Sequence, residues 1–169
     1  GRLATGRAGW IAAAVLLVVI ACWFRAVLPL TAIGHAAHDD ALYVRLAASA
    51  ARGEWLGPYD ESTLSKGPFF SLFAAVAQRA GVPLFAAERT LHAGACALLV
   101  LALASVDRSR LARLGLLVLL LFDPVVVTRA AREGIYPALT ILGLAGGVGV
   151  LASLAPSPRR ASAWACLCG

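Results

Sequence analysis

The sequence predicts an all-α, polytopic membrane protein, and three observations predict it. Hydrophobic residues fill 60% of the 169 positions and charged residues only 14%, where a soluble domain is about half apolar and about a quarter charged. Mean hydropathy is correspondingly high at +0.81. Apolar runs cover residues 10 to 30, 83 to 105, 111 to 128 and 134 to 155, each near the ~20 residues a helix needs to cross a hydrocarbon core of roughly 30 Å.

Taken in order, the first span is interrupted by Arg25, and a fifth begins near Trp164. A first residue other than methionine and an apolar close at 164 to 169 read as the N-terminal part of a longer polytopic protein. Arginines set the orientation. Arg2 and Arg7 precede the first span, Arg108, Arg110 and Arg113 join the second to the third, and Arg159 and Arg160 follow the fourth. Alternating spans put all three clusters on one side, which makes that side cytoplasmic and turns residues 31 to 82 and 129 to 133 outward. Arg129 and Arg132 depart from this bias. Gly34-His35-Ala36 resembles a signal-peptide cleavage site, but the run before it is long for a signal and carries Arg25 and Pro29. An uncleaved anchor is the expectation.

The outward segment 31 to 82 has its own helical pattern. Leu42, Tyr43, Leu46 and Ala50 repeat at helical spacing from Asp39 to Arg52, with Arg45 and Arg52 on another face and Gly53 at the end. Trp55, Gly57-Pro58 and Tyr59 form a turn rich in interfacial aromatics. A second helix opens at Pro68 and runs to Ala80, too short to span. Both are expected to lie along the outer membrane surface.

The formal charge of +6 does not point to nucleic acid, because the basic residues flank apolar runs and form no stripe with aromatics. Cys22, Cys96, Cys166 and Cys168 all lie in apolar stretches, which suits small apolar residues better than a disulfide framework or a zinc site. Lys66 is the single lysine among 15 basic residues.

Chemistry concentrates on the outer side. Asp39 and Asp40 follow His38 where the chain leaves the first span. One aspartate suffices to cap a helix; two suggest a general base or a metal ligand. Lys66-Gly67-Pro68 offers a point charge for a phosphate, a glycine for close backbone approach and a fixed helix entry. Arg45 is placed to assist it. Glu88 and His92, four apart, share a helical face beside Arg89, and ionisable groups inside a span face a cavity or a partner. Packing alone explains that set equally well. Asp123 and Arg132-Glu133 also fall toward the outer face. His35, His38 and Asp60-Glu61 read as solvated.

The order of one span, then Asp39-Asp40-Ala41-Leu42-Tyr43, then Leu64-Ser65-Lys66-Gly67-Pro68-Phe69-Phe70, then Ala87-Glu88-Arg89 resembles the GT-C superfamily. These are polytopic glycosyltransferases that use polyprenyl-phosphate sugars; the branch resembled is that of protein mannosyltransferases and aminoarabinose transferases, over about residues 10 to 155. The resemblance implies that Asp39 is the catalytic base, with Asp40 beside it. It implies that Tyr43 and Lys66 contact the lipid phosphate, Lys66-Gly67-Pro68 standing where the family has a Lys-Pro-Pro-like motif. Arg45 and Arg132 join this phosphate set. Glu133 loosely matches an acidic position after the third span, and Glu88, Arg89 and His92 support the site. Many relatives need no metal; a divalent metal is the one cofactor these residues leave open. The implied partners are a polyprenyl-phosphate-linked sugar, membrane lipid, and a glycan, lipid or protein acceptor, at a bacterial plasma membrane with the N-terminus cytoplasmic. The same outer charges would also serve a transporter or flippase for a lipid-linked substrate, or a scaffold in which Asp39-Asp40 only cap a helix.

Overall fold

The computed structural model describes residues 2–26, 39–55, 57, 67–104, 106, 109–122 and 135–153. Every regular element among them is helical: α1 (Arg2–Ala26), α2 (Asp39–Arg52), α3 (Phe69–Arg79), α4 (Leu84–Leu103), α5 (Arg110–Leu121) and α6 (Tyr136–Ser153). They fall into two compact units, one holding α1, α5, α6 and α4 from Arg89 onward, the other α2, α3 and α4 up to Glu88.

In the first unit, α1 turns Trp10, Ala14, Leu17, Val18, Ala21 and Cys22 inward at steps of one, three and four residues, the stripe of a helix with one packed face. These residues share one core cluster with Cys96, Leu99 and Val100 of α4, Leu117 and Leu121 of α5, and Ala138, Ile141 and Ala145 of α6. Much of this core is alanine, which lets helix backbones approach closely. The large side chains go the other way. Ile11, Val15, Leu16, Val19, Ile20, Trp23 and Phe24 of α1 are exposed, as are Leu101, Leu111, Leu119, Leu144 and Leu151 on the other helices. Small residues inside and bulky apolar ones outside reverse the order of a water-soluble bundle.

The helix α4, 20 residues with a mean hydropathy of 1.4, is long and apolar enough to cross a membrane. Shorter apolar stretches cover Ala8–Phe24 and Tyr136–Ala152. The 12 residues of α5 rise about 18 Å. Ser109 caps its start, its hydroxyl accepting from the Ala112 N–H at 3.3 Å; the Phe122 N–H closes its end on the Val118 carbonyl. The expected run over 111 to 128 continues into 123 to 128, outside the described residues.

In the second unit, α2 and α3 pack side by side and run parallel. Ser71 Oγ donates to the Tyr43 carbonyl at 3.4 Å, and Arg79 Nε donates to the Ala51 carbonyl at 2.7 Å. Both contacts join residues 28 apart in sequence, so the register holds along the pair. Tyr43 meets Phe70 edge to face, ring centroids 5.2 Å apart at 78°. Each helix stops by the same device. Gly53 (φ 87) and Gly81 (φ 66) take the left-handed conformation. Behind them Glu54 N–H reaches the Ser49 carbonyl and Val82 N–H reaches the Ala77 carbonyl, the longer bond of a Schellman cap. Gly53 and Gly81 are themselves 28 apart, so the two helices also end level.

Past this cap, Arg52 holds Glu54 through two contacts, at 3.2 and 2.8 Å. The hydrogen bond and then the charge of Arg52 set the Glu54 carboxyl below the usual carboxylate range. A lowered folded pKa adds stability that is present above the unfolded value and fades as pH falls through the folded one. The pair is exposed, so this contribution is small and salt-sensitive. An NMR titration of Glu54 should show the depressed value, and Arg52→Gln should return it to the ordinary range; a titration indifferent to that substitution would detach Glu54 from Arg52.

Candidate functional site

The parallel register of α2 and α3 defines the site. Two helices side by side in one direction add their dipoles, leaving about half a positive charge at each N-terminus and half a negative charge at each C-terminus. The negative end is answered by Arg79 on the Ala51 carbonyl and by Arg52 in the last turn of α2. At the positive end, the backbone of Asp39 and Asp40 opens α2 and Pro68, after Gly67, caps α3 without a side-chain hydrogen bond. The offset of 28 set by Ser71 and Tyr43 brings the backbone of Asp39-Asp40 level with Gly67-Pro68. The two motifs singled out in the sequence therefore share one end of one helix pair, and that end favours anions.

A cleft of about 400 Å³ runs along the pair, lined by Tyr43, Ala47, Phe70, Ala74, Gln78 and Leu84. Its walls are mostly apolar, with Gln78 the amide among them. Tyr43 is buried at 3% exposure and Arg45 is exposed. Two residues of helix turn the chain by about 200°, so these two members of the expected phosphate set do not share a face. Burial against Phe70 makes Tyr43 a wall of the cleft.

Of the supporting set, Glu88 and Arg89 are buried at 1% and 9% exposure in the N-terminal part of α4. Charges so enclosed need partners, since isolated burial is costly. His92 Nε2 lies 3.1 Å from the Leu120 carbonyl oxygen of α5 and 3.6 Å from Cys96 Sγ. A carbonyl only accepts, so Nε2 carries the hydrogen in that pairing. A cavity of about 10 Å³, lined by Cys22, Arg89, His92 and Leu121, has room for one water at most. His92 thus bridges α4 and α5. Among the described residues no three His, Cys, Asp or Glu side chains are arranged to hold a metal ion.

Lys66, Arg132 and Glu133 lie outside the described residues, as do His35, His38, Pro58, Tyr59, Asp60-Glu61, Asp123, the 34 to 36 segment, the two C-terminal cysteines and the start of a fifth span near Trp164. Two contacts lie beyond what the sequence suggests. A Cβ on Gly57 (φ +74) would stand 2.6 Å from Ser49 Oγ and 3.0 Å from Ser49 Cβ, so the chain at Gly57 rests directly on the Ser49 side chain. Ser71, fully buried, ties the pair through the Tyr43 carbonyl. Only Gly57, beside proline in a turn-like string, left a local trace in the sequence.

No family model matches this chain, and neither a curated protein nor a solved structure is similar to it.

Proposed function

We propose that this protein is a polytopic membrane glycosyltransferase that moves a sugar from a polyprenyl-phosphate donor to an acceptor hydroxyl on the extracytoplasmic face, with inversion. The observation that supports this most is the shared positive end of α2 and α3, where Asp39-Asp40 and Gly67-Pro68 come level. The apolar cleft along the same pair suits the isoprenoid part of such a donor. Bulky apolar residues on the outside of the first unit and the α4 helix support residence in a bilayer, where outward apolar side chains meet lipid. Short apolar stretches in α1 and α6 join α4 as spans in this reading.

The reaction is a direct displacement. Asp39 takes the proton of the acceptor hydroxyl as its oxygen bonds to the anomeric carbon. The bond from that carbon to the phosphate oxygen breaks with its electron pair, and polyprenyl phosphate leaves. Its growing negative charge is met by Lys66, with Arg132, and by the two helix N-termini. Asp40 stands beside the base, and no covalent enzyme intermediate forms.

Lys66→Gln tests the phosphate contact. A charge-assisted bond is worth roughly 1.5–3 kcal/mol, so polyprenyl phosphate should bind the variant about ten- to a hundredfold more weakly. Native mass spectrometry of the intact protein in nanodiscs would read this. Equal binding by the variant and the parent would remove Lys66 from the site.

A further inference from the structure

A second lipid site is carried by the first unit. A groove of about 440 Å³ is lined only by apolar side chains, among them Trp10, Ala14 and Val18 of α1, Ala97 and Val100 of α4, and Leu117 of α5. It runs from Trp10 to Val19 along α1, a helical rise of about 13 Å. One end is cationic. The Arg113 guanidinium sits over the Trp10 ring, 5.0 Å from its centroid, within cation–π range. Arg110, one turn earlier on α5, is exposed, and the N-terminus of α5 is itself favourable to phosphate. In sequence Arg2 and Arg7 fall in the first turns of α1, and Asp107 and Arg108, both outside the described residues, precede α5.

We infer that this groove holds an acyl chain of an anionic phospholipid, whose phosphate is bound by Arg113 and Arg110. Charge complementarity chooses the occupant: a zwitterionic lipid would bring a cation to an end already rich in arginine, and a further apolar helix of the protein would bring no anion to it. The site lies at the N-terminal end of α1, which the arginine pattern makes cytoplasmic, and uses none of the residues assigned to the sugar donor. It rests on the bilayer reading given above but not on the transfer reaction.

Brominated lipids test it, because bromine quenches a tryptophan only in contact. The intact protein with Trp23→Phe, Trp55→Phe and Trp164→Phe keeps Trp10 alone. It is placed in phosphatidylcholine vesicles carrying brominated phosphatidylglycerol or, in parallel, brominated phosphatidylcholine. Trp10 should be quenched more by phosphatidylglycerol at equal mole fraction. Arg113→Gln should cut that preference about fivefold, the effect of one basic side chain near an anionic headgroup, and Ala97→Phe should suppress quenching by either lipid by filling the groove. Equal quenching by the two lipids, or a preference that survives Arg113→Gln, overturns the proposal. If Trp10 stays bright while a variant keeping only Trp23 is quenched, protein covers the groove and the proposal fails alone. If neither is quenched, the bilayer reading fails with it.

Discussion

Asp39→Asn should lower sugar transfer by about 10²- to 10⁴-fold, the usual contribution of a positioned general base, while leaving donor binding and helix content unchanged. The substitution is chosen for what it preserves. Asparagine caps a helix about as well as aspartate, so α2 keeps its start, and the side chain keeps its shape. What it loses is the ability to take a proton. A scaffold in which Asp39 only caps α2 would therefore tolerate the change, and a binding-only transporter would lose some affinity and no turnover. Asp40→Asn should cost less than Asp39→Asn, since Asp40 is the neighbour of the base. If the two variants lose activity equally, the proton belongs to the pair and not to Asp39.

Gly57→Ala should destabilise the α2–α3 unit by on the order of 2–5 kcal/mol. Two costs combine. A left-handed backbone penalises any residue with a Cβ by roughly 1–2 kcal/mol, and Gly57 has φ 74. Overpacking adds typically 1–3 kcal/mol, and the new methyl would stand 2.6 Å from Ser49 Oγ with Ser49 Cβ close behind at 3.0 Å. Ser49 is itself nearly buried at 3% exposure, and its carbonyl carries the Schellman bond from Glu54. The strain thus reaches the end of α2 that Arg79 fastens to α3. Gly81→Ala is the matched control: it has φ +66 but open space around the added methyl, so it should show the backbone cost alone, about 1–2 kcal/mol. Denaturation in mixed detergent micelles would compare them. Equal losses at both glycines would mean that the Ser49 contact relaxes freely.

The sequence made the helices legible and left their partnership hidden. Leu42, Tyr43 and Leu46 announce the packed face of α2, and Arg45 and Arg52 its open face, because burial follows the helical period. Gly53 announces its end, because only glycine takes the cap conformation without a steric cost. Pro68 likewise announces the start of α3. These are local signals. The parallel register is not local: it rests on Ser71 reaching the Tyr43 carbonyl and Arg79 the Ala51 carbonyl, and a serine and an arginine carry no trace of a partner 28 residues away. The same holds for His92, whose spacing from Glu88 suggested a shared polar face. Its partner across the helices is a main-chain carbonyl on α5, and every residue in a chain has one of those. Arg45 shows the opposite limit. Its charge made it a candidate for the phosphate, whereas the turn of the helix separates it from Tyr43.

The central claim is that the shared end of α2 and α3 supports transfer from a polyprenyl-phosphate sugar. The most direct measurement supplies the intact protein in nanodiscs with a panel of polyprenyl-phosphate sugars and a membrane extract as acceptor, and follows free polyprenyl phosphate by mass spectrometry beside Asp39→Asn. Release from one donor class that disappears in the variant is the expected result. Donor that binds without being released by either form would contradict catalysis and leave a carrier for lipid-linked sugars, and a protein that binds none of the donors would reduce Asp39-Asp40 to a helix cap.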